Sequence, residues 1–231
     1  MTTATEFGYA DLPDLIGRMA GDEKHSPAAT STLDVLWVLY DRVLAIGPEL
    51  IDHPERDRFL LSKGHGPMAY YAVLAAKGIL DPAELDRWGR FDSPLGFHPD
   101  RVLAPGVEIG SGSLGHGLPL ALGTALGLRA QGRTGPRVVV LVGDAELDEG
   151  SNHEAIAVAG RRGLGNLTTV VVDNSSSSYG WPGGIEQRFA GEGWAARSVD
   201  GRDHEALHAA LTDTRPDRPL AVIARVEAKE Y

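Results

Sequence analysis

The chain has 231 residues, 42% of them hydrophobic and 23% charged, with a formal net charge of −10. That length suffices for one sizeable core, and an acidic balance with no offsetting Lys/Arg run excludes a nucleic-acid surface. Cysteine is absent, which excludes disulfides and thiolate chemistry and fits the cytoplasm. The N-terminus carries Glu6, Asp11 and Asp14 without a continuous apolar core, so no signal peptide is expected. No run approaches the ~20 apolar residues of a membrane span, so no membrane partner is expected either.

Residues 1–24 are polar and mixed, with weak helical periodicity from Leu12 to Met19, and read as an N-terminal arm before one domain at 25–231. Leu33, Leu36, Trp37, Tyr40 and Leu44 share a face and predict an amphipathic helix over Thr32 to Leu44, with Thr30 or Ser31 as its cap. Arg58 to Leu61 reads as a strand, followed by the turn Ser62-Lys63-Gly64-His65-Gly66. Pro67 opens a helix over Met68 to Ala76 that Gly78 closes. Pro82 to Trp88 is a short helix, and Phe91 to Ile109 is an aperiodic, proline-bearing loop. A glycine-rich turn, Gly110 to Gly117, leads into a helix of small residues over Leu118 to about Ala130. The strand Val138 to Val142 then breaks into Gly143-Asp144-Ala145, and a second, Thr169 to Val172, ends in Asp173-Asn174. Beyond the loop Ser175 to Gly184 come a strand near Ala196 to Val199, a helix from His204 to Leu211 and a strand from Leu220 to Val226. Alternating strands and helices predict the α/β class, with a mainly parallel sheet flanked by helices.

In a parallel sheet, Asp144 and Asn174 project from strand ends on the edge where ligands of such sheets bind. Two hard oxygen donors about thirty residues apart, with a glycine beside the first, suit Mg²⁺ held between protein and a diphosphate. The other acids that follow (Glu146, Asp148, Glu149, Glu154) read as the solvated N-terminus of a helix, where the dipole favours them. The serines from Ser175 to Ser178 read as a loop whose carbonyls reach the metal. Gly110 to Gly115 matches G-x-G-x-x-G, but its lead-in is a poor strand and no acid follows ~20 residues on, which disfavours a dinucleotide. Its N–H groups suit some other phosphate or ring at the helix start. His25, His65, His98 and His116 all stand beside glycine or proline in loops, as neutral donors and acceptors for a polyhydroxylated or phosphorylated substrate. His53, His153, His204 and His208 read as surface or capping residues.

Three motifs in order, Leu61-Ser62-Lys63-Gly64-His65-Gly66, Gly112-Ser113-Leu114-Gly115-His116-Gly117, and Gly143-Asp144-Ala145 through Asp173-Asn174, resemble the thiamine-diphosphate half of transketolase. In particular they are similar to the N-terminal subunit of the split, two-chain transketolases, over about His25 to Val226. The resemblance implies a thiamine-diphosphate-binding fold (25–231) and Mg²⁺ on Asp144, Asn174 and the carbonyl of Ser176. It implies that Gly143 and Ala145 pack on the diphosphate and that Gly112, Ser113 and Leu114 lie along the cofactor. His65 would face cofactor and substrate, His98 and, less closely matched, His25 would contact substrate, and Glu149 and Glu154 would help link cofactors across a dimer interface. The implied activity is ketol transfer between ketose and aldose substrates, together with a separate pyrimidine-binding chain in an α₂β₂ assembly. The alternatives are a related carboligase (deoxyxylulose-phosphate-synthase-like or of specialised metabolism) and a non-catalytic subunit that keeps the fold. Three departures stand out: Ala145 replaces a glycine and requires a negative φ there, Asn174-Ser175-Ser176 replaces Asn-Asn-Gly, and no pyrimidine-binding half precedes Tyr231.

Overall fold

Val138–Gly143 (β2) and Leu167–Asp173 (β3) are nearly unbroken apolar runs, as expected of strands covered on both faces of a parallel sheet. The computed structural model describes residues 7–19 and 26–228, with 26–29 by backbone alone. With Arg58–Leu61 (β1), Ala195–Asp200 (β4) and Leu220–Arg225 (β5), these strands form one sheet in the order β1-β2-β3-β5-β4. Every pairing is parallel, so the C-terminal ends of all strands share one edge.

Alternation along each strand divides the core in two. Phe59, Leu61, Val139 and Leu141 pack on one face against Leu12–Gly17 (α1), Ser26–Val38 (α2), Met68–Ala76 (α3) and His204–Thr212 (α7). Leu60, Val138, Val140 and Val142 pack on the other against Gly117–Ala130 (α4), Gly150–Arg162 (α5) and Gly184–Ala190 (α6). The result is a three-layer α/β/α domain. No helix among the described residues is long and apolar enough to cross a membrane.

Several boundaries differ from expectation for physical reasons. Helix α2 begins at Ser26 rather than Thr32, so Thr30 and Ser31 lie inside it and are not its caps; Pro27 stands in the first turn, where its missing N–H costs nothing. Its far end passes into a π turn at Leu39–Val43, where Tyr40 packs edge-on against Phe59 of β1. Strand β3 starts at Leu167, ahead of the expected Thr169, because Thr168 and Thr169 are buried β-branched residues that fit a pleated surface. Within the segment 1–24, α1 rests on α3 and buries Leu12, Leu15 and Met19 in the core.

Asp34 of α2 gathers a polar network at the edge formed by the strand ends. Its carboxylate accepts hydrogen bonds from the Tyr9 hydroxyl (2.6 Å), Arg202 (2.6 Å) and the His204 ring (2.8 Å). His204 is therefore a packed network residue rather than the surface group its sequence context suggested. Arg202, just past β4, also pairs with Glu227, past β5, and donates to the Thr30 carbonyl. Burial raises the Tyr9 phenol to about 12, and the neighbouring carboxylate adds to the effect. For Asp34, burial acts upward, but the hydrogen bonds from Tyr9, His204 and Arg202 outweigh it and hold its pKa below the usual value. A depressed carboxyl stabilises the fold above its unfolded pKa of about 4, and that contribution is lost as pH falls through the lower folded value. Urea unfolding should therefore find Asp34→Asn less stable than the parent at neutral pH. The difference should begin to shrink near pH 4, where the unfolded chain takes up the proton, and fade as pH falls through the lower folded value.

Candidate functional site

The site grows from the ends of β1, β2 and β3. Backbone bonds carry the ladder one residue past each strand: Ser62 N–H donates to Leu141 O (2.9 Å) and Asp144 N–H to Val172 O (3.1 Å). Beyond those bonds the chain turns away, leaving Ser62, Asp144 and Asn174 along one rim, all buried.

Beneath this rim lies a carboxylate that sequence reasoning assigned to solvent. Glu146 is 1% exposed and accepts hydrogen bonds from the Ser62 hydroxyl, the Gly115 N–H (3.0 Å) and the Gly143 N–H (3.4 Å). Ser62 Oγ in turn accepts from the Gly117 N–H (2.9 Å). One acid thus fastens the turn after β1, the glycine-rich turn before α4 and the turn after β2. Burial pushes its carboxyl above the usual range, opposed by the Ser62, Gly115 and Gly143 hydrogen bonds and by the charge of Lys63. No local pattern marks Glu146 as buried, since two of its three partners, Ser62 and Gly115, lie far away in sequence. The expectation that it is a solvated helix-start acid is overturned by these contacts.

Asp144 and Asn174 stand just past the ends of the neighbouring strands β2 and β3. Asn174 Oδ1 is buried without a hydrogen-bond partner among the described residues, so the fold leaves a hard oxygen acceptor unsatisfied beside a buried carboxylate. That donor pair fits Mg²⁺. The serine loop closes over Asp144: the Ser176 N–H (2.6 Å) and hydroxyl (2.6 Å) and the Ser177 N–H (3.0 Å) all donate to its carboxylate. Asp148, also read as solvated, accepts from the Ser177 hydroxyl (2.9 Å) and the Ser178 N–H (3.0 Å). Ser175 has φ of 58° and is the one non-glycine residue in the left-handed region among those described. Ala145 accordingly avoids it, which answers the concern over its lost glycine. A cavity of about 500 Å³ opens beside Asp144, bordered by Ser175, Ser177, Tyr179, Trp181 and Arg225.

His65 and His98 come together, their rings edge to face with centroids 4.9 Å apart. The glycine-rich turn lies against them. A Cβ on Gly112, whose φ is 129°, would stand 2.6 Å from the His98 ring, and one on Gly64 would stand 2.7 Å from the Gly112 nitrogen. Only glycine permits that approach. Ser113 and Leu114 are exposed on the same turn, as are Glu149 and Glu154 at the start of α5. His116 faces solvent before α4, and His25 lies outside the described residues.

The profile of the transketolase thiamine diphosphate binding domain matches residues 18–227. The chain belongs to the transketolase family. A Rhodococcoides fascians protein named ferredoxin fas2 is 62% identical over 222 residues, covering 96% of this chain and 73% of that protein. One of the subunits of an apulose-4-phosphate transketolase from Actinobacillus succinogenes is 35% identical, covering 87% of this chain and 75% of its own length. Transketolase 2 of Xanthobacter flavus is 40% identical, but the match spans only 31% of its length. The fold agrees: a Pichia stipitis transketolase variant superposes with a TM-score of 0.82 at 24% identity over 94% of this chain and 35% of its own. This chain thus corresponds to the thiamine diphosphate binding portion of a transketolase.

The Ser62–Glu146 contact should carry measurable stability. Ser62→Ala strips a donor from the buried carboxylate and leaves the Gly117 N–H without its acceptor, which should cost about 1–3 kcal/mol in denaturant unfolding.

Proposed function

We propose that the chain is the diphosphate- and Mg²⁺-binding subunit of a two-component, thiamine-dependent transketolase that moves a two-carbon ketol unit between sugar or sugar-phosphate substrates. The observation that carries this reading is the pairing of buried Asp144 with the unsatisfied Asn174 Oδ1 at neighbouring strand ends, in a chain of this family. Asp144, Asn174 and the Ser176 carbonyl would hold the metal, with Gly143 and Ala145 against the diphosphate and Gly112 to Leu114 along the cofactor. When bound, thiamine diphosphate supplies a nucleophilic carbon and an electron sink for a carbonyl substrate. The chain's own part is to position and to move protons. His65 and His98, paired above the glycine turn, suit proton transfer to and from the carbonyl and hydroxyls of the substrate near neutral pH, with His25 as a third candidate.

A separate chain would supply the pyrimidine-binding half, in an α₂β₂ arrangement, with Glu149 and Glu154 turned toward the dimer contact. Support comes from the exposure of both acids and from a relative named as a transketolase subunit of which the match covers 75%. The name of the 62% identical relative favours a second reading, in which electrons from the substrate pass to an iron–sulfur carrier. Such clusters are held by cysteine thiolates, and this chain has none, so the carrier would be a separate unit.

Calorimetry should show Mg²⁺-dependent binding of thiamine diphosphate to the chain and its abolition in Asp144→Ala; unchanged affinity in that variant would refute the metal assignment. Turnover of ketose phosphates at enzyme-like rates by the chain alone, with both cofactors, would refute the two-component arrangement. With the partner chain present, reduction of a one-electron dye in place of ketol transfer would favour the second reading.

A further inference from the structure

We infer that Lys63 is a further cofactor-binding residue, which sets its ammonium against the diphosphate at the turn after β2. This rests on the reading above and names a residue that the motif comparison left unassigned. Lys63 follows Ser62 at the end of β1, and its N–H donates to Leu141 O (3.2 Å), so its backbone is fixed to the sheet edge beside β2. Its stem then crosses the neighbouring turn: Cδ and Cε lie 3.3 and 3.4 Å from where a Cβ on Gly143 would stand. The ammonium reaches the Ser31 hydroxyl on α2 at 2.7 Å, and Ser31 is itself buried.

The charge balance explains why a cation belongs there. Asp144, Glu146, Asp148 and Glu149 put four carboxylates into six residues at this edge, and the whole chain is acidic. Mg²⁺ offsets only two charges, and a diphosphate brings further negative charge to the same rim. A flexible ammonium on a fixed stem can exchange its hydroxyl partner for a phosphoryl oxygen while its backbone stays in place. The contact would be a charge-assisted hydrogen bond, the stronger class.

The test is calorimetry on the full chain with Mg²⁺, using thiamine diphosphate and inorganic diphosphate as separate probes, for the parent, Lys63→Gln and Lys63→Arg. The expected result is a loss of ~10-fold or more in affinity for both probes in Lys63→Gln, with a weaker salt dependence, and near-parent affinity in Lys63→Arg. Equal affinity in Lys63→Gln and the parent overturns the assignment. So does an affinity loss that Arg fails to rescue although the melting temperature of the Arg variant equals that of the parent. If Lys63→Gln does not fold, the salt dependence of the parent and Lys63→Arg decides: a flat dependence overturns the proposal. Parent protein that binds inorganic diphosphate but not thiamine diphosphate overturns the functional reading and still tests Lys63.

Discussion

A carboxylate removed from water must be repaid with hydrogen bonds, and that constraint organises the whole binding edge. Glu146, on the turn after β2, takes donors from two turns that sequence separates widely from it and from Gly143 at the end of β2 itself. Without these donors a buried, charged oxygen pair would cost several kcal/mol. With them, the turn carrying His65, the turn carrying Gly112 and the turn carrying Asp144 are held in one register. The residues proposed to bind the cofactor are thus held in place by a buried acid beneath them. This is the usual division between groups that touch a ligand and groups that hold them in place.

Most of the architecture was legible from hydrophobic pattern. The apolar run of β2 and the valines of β3, in alternation with helical segments, pointed to a covered parallel sheet, and the Asp144 and Asn174 strand ends followed from them. The bounds of β1 and α3 came out as read, because proline and glycine punctuate both. Harder to see were features whose cause is long-range. The start of α2 was missed because Ser, Thr and Pro inside its first turns look like a cap. Thr168 of β3 was missed because burial, rather than polarity, decides where a β-branched residue sits. Glu146 and Asp148 share the composition of a solvated helix start with Glu149 and Glu154, which do face solvent. Only the distant partners Ser62, Gly115, Ser177 and Ser178 tell the two kinds apart.

The serine loop shows a local compromise. Ser175 takes a left-handed backbone that glycine or asparagine adopts at less cost, and the loop regains stability by donating N–H and hydroxyl groups to Asp144 and Asp148. A loop motif can therefore change its residues and still deliver its chain to the Asp144 carboxylate. The requirement is a path of backbone donors across that carboxylate, and serine can meet it with both main chain and side chain.

The Asp34 network has a consequence for how larger proteins are built around this domain. Tyr9, near one end of the chain, and Glu227, near the other, are fastened through Asp34 and Arg202, just past the ends of β4 and β5. That is the same sheet edge that carries Asp144 and Asn174. A module joined close to Tyr9 or Glu227 would start its tether at the rim of the sheet edge proposed to bind the cofactor, not at the far side of the sheet. A short linker then keeps that module at millimolar effective concentration over the site, so that an acceptor group or electron carrier borne on it need not find the site by free diffusion.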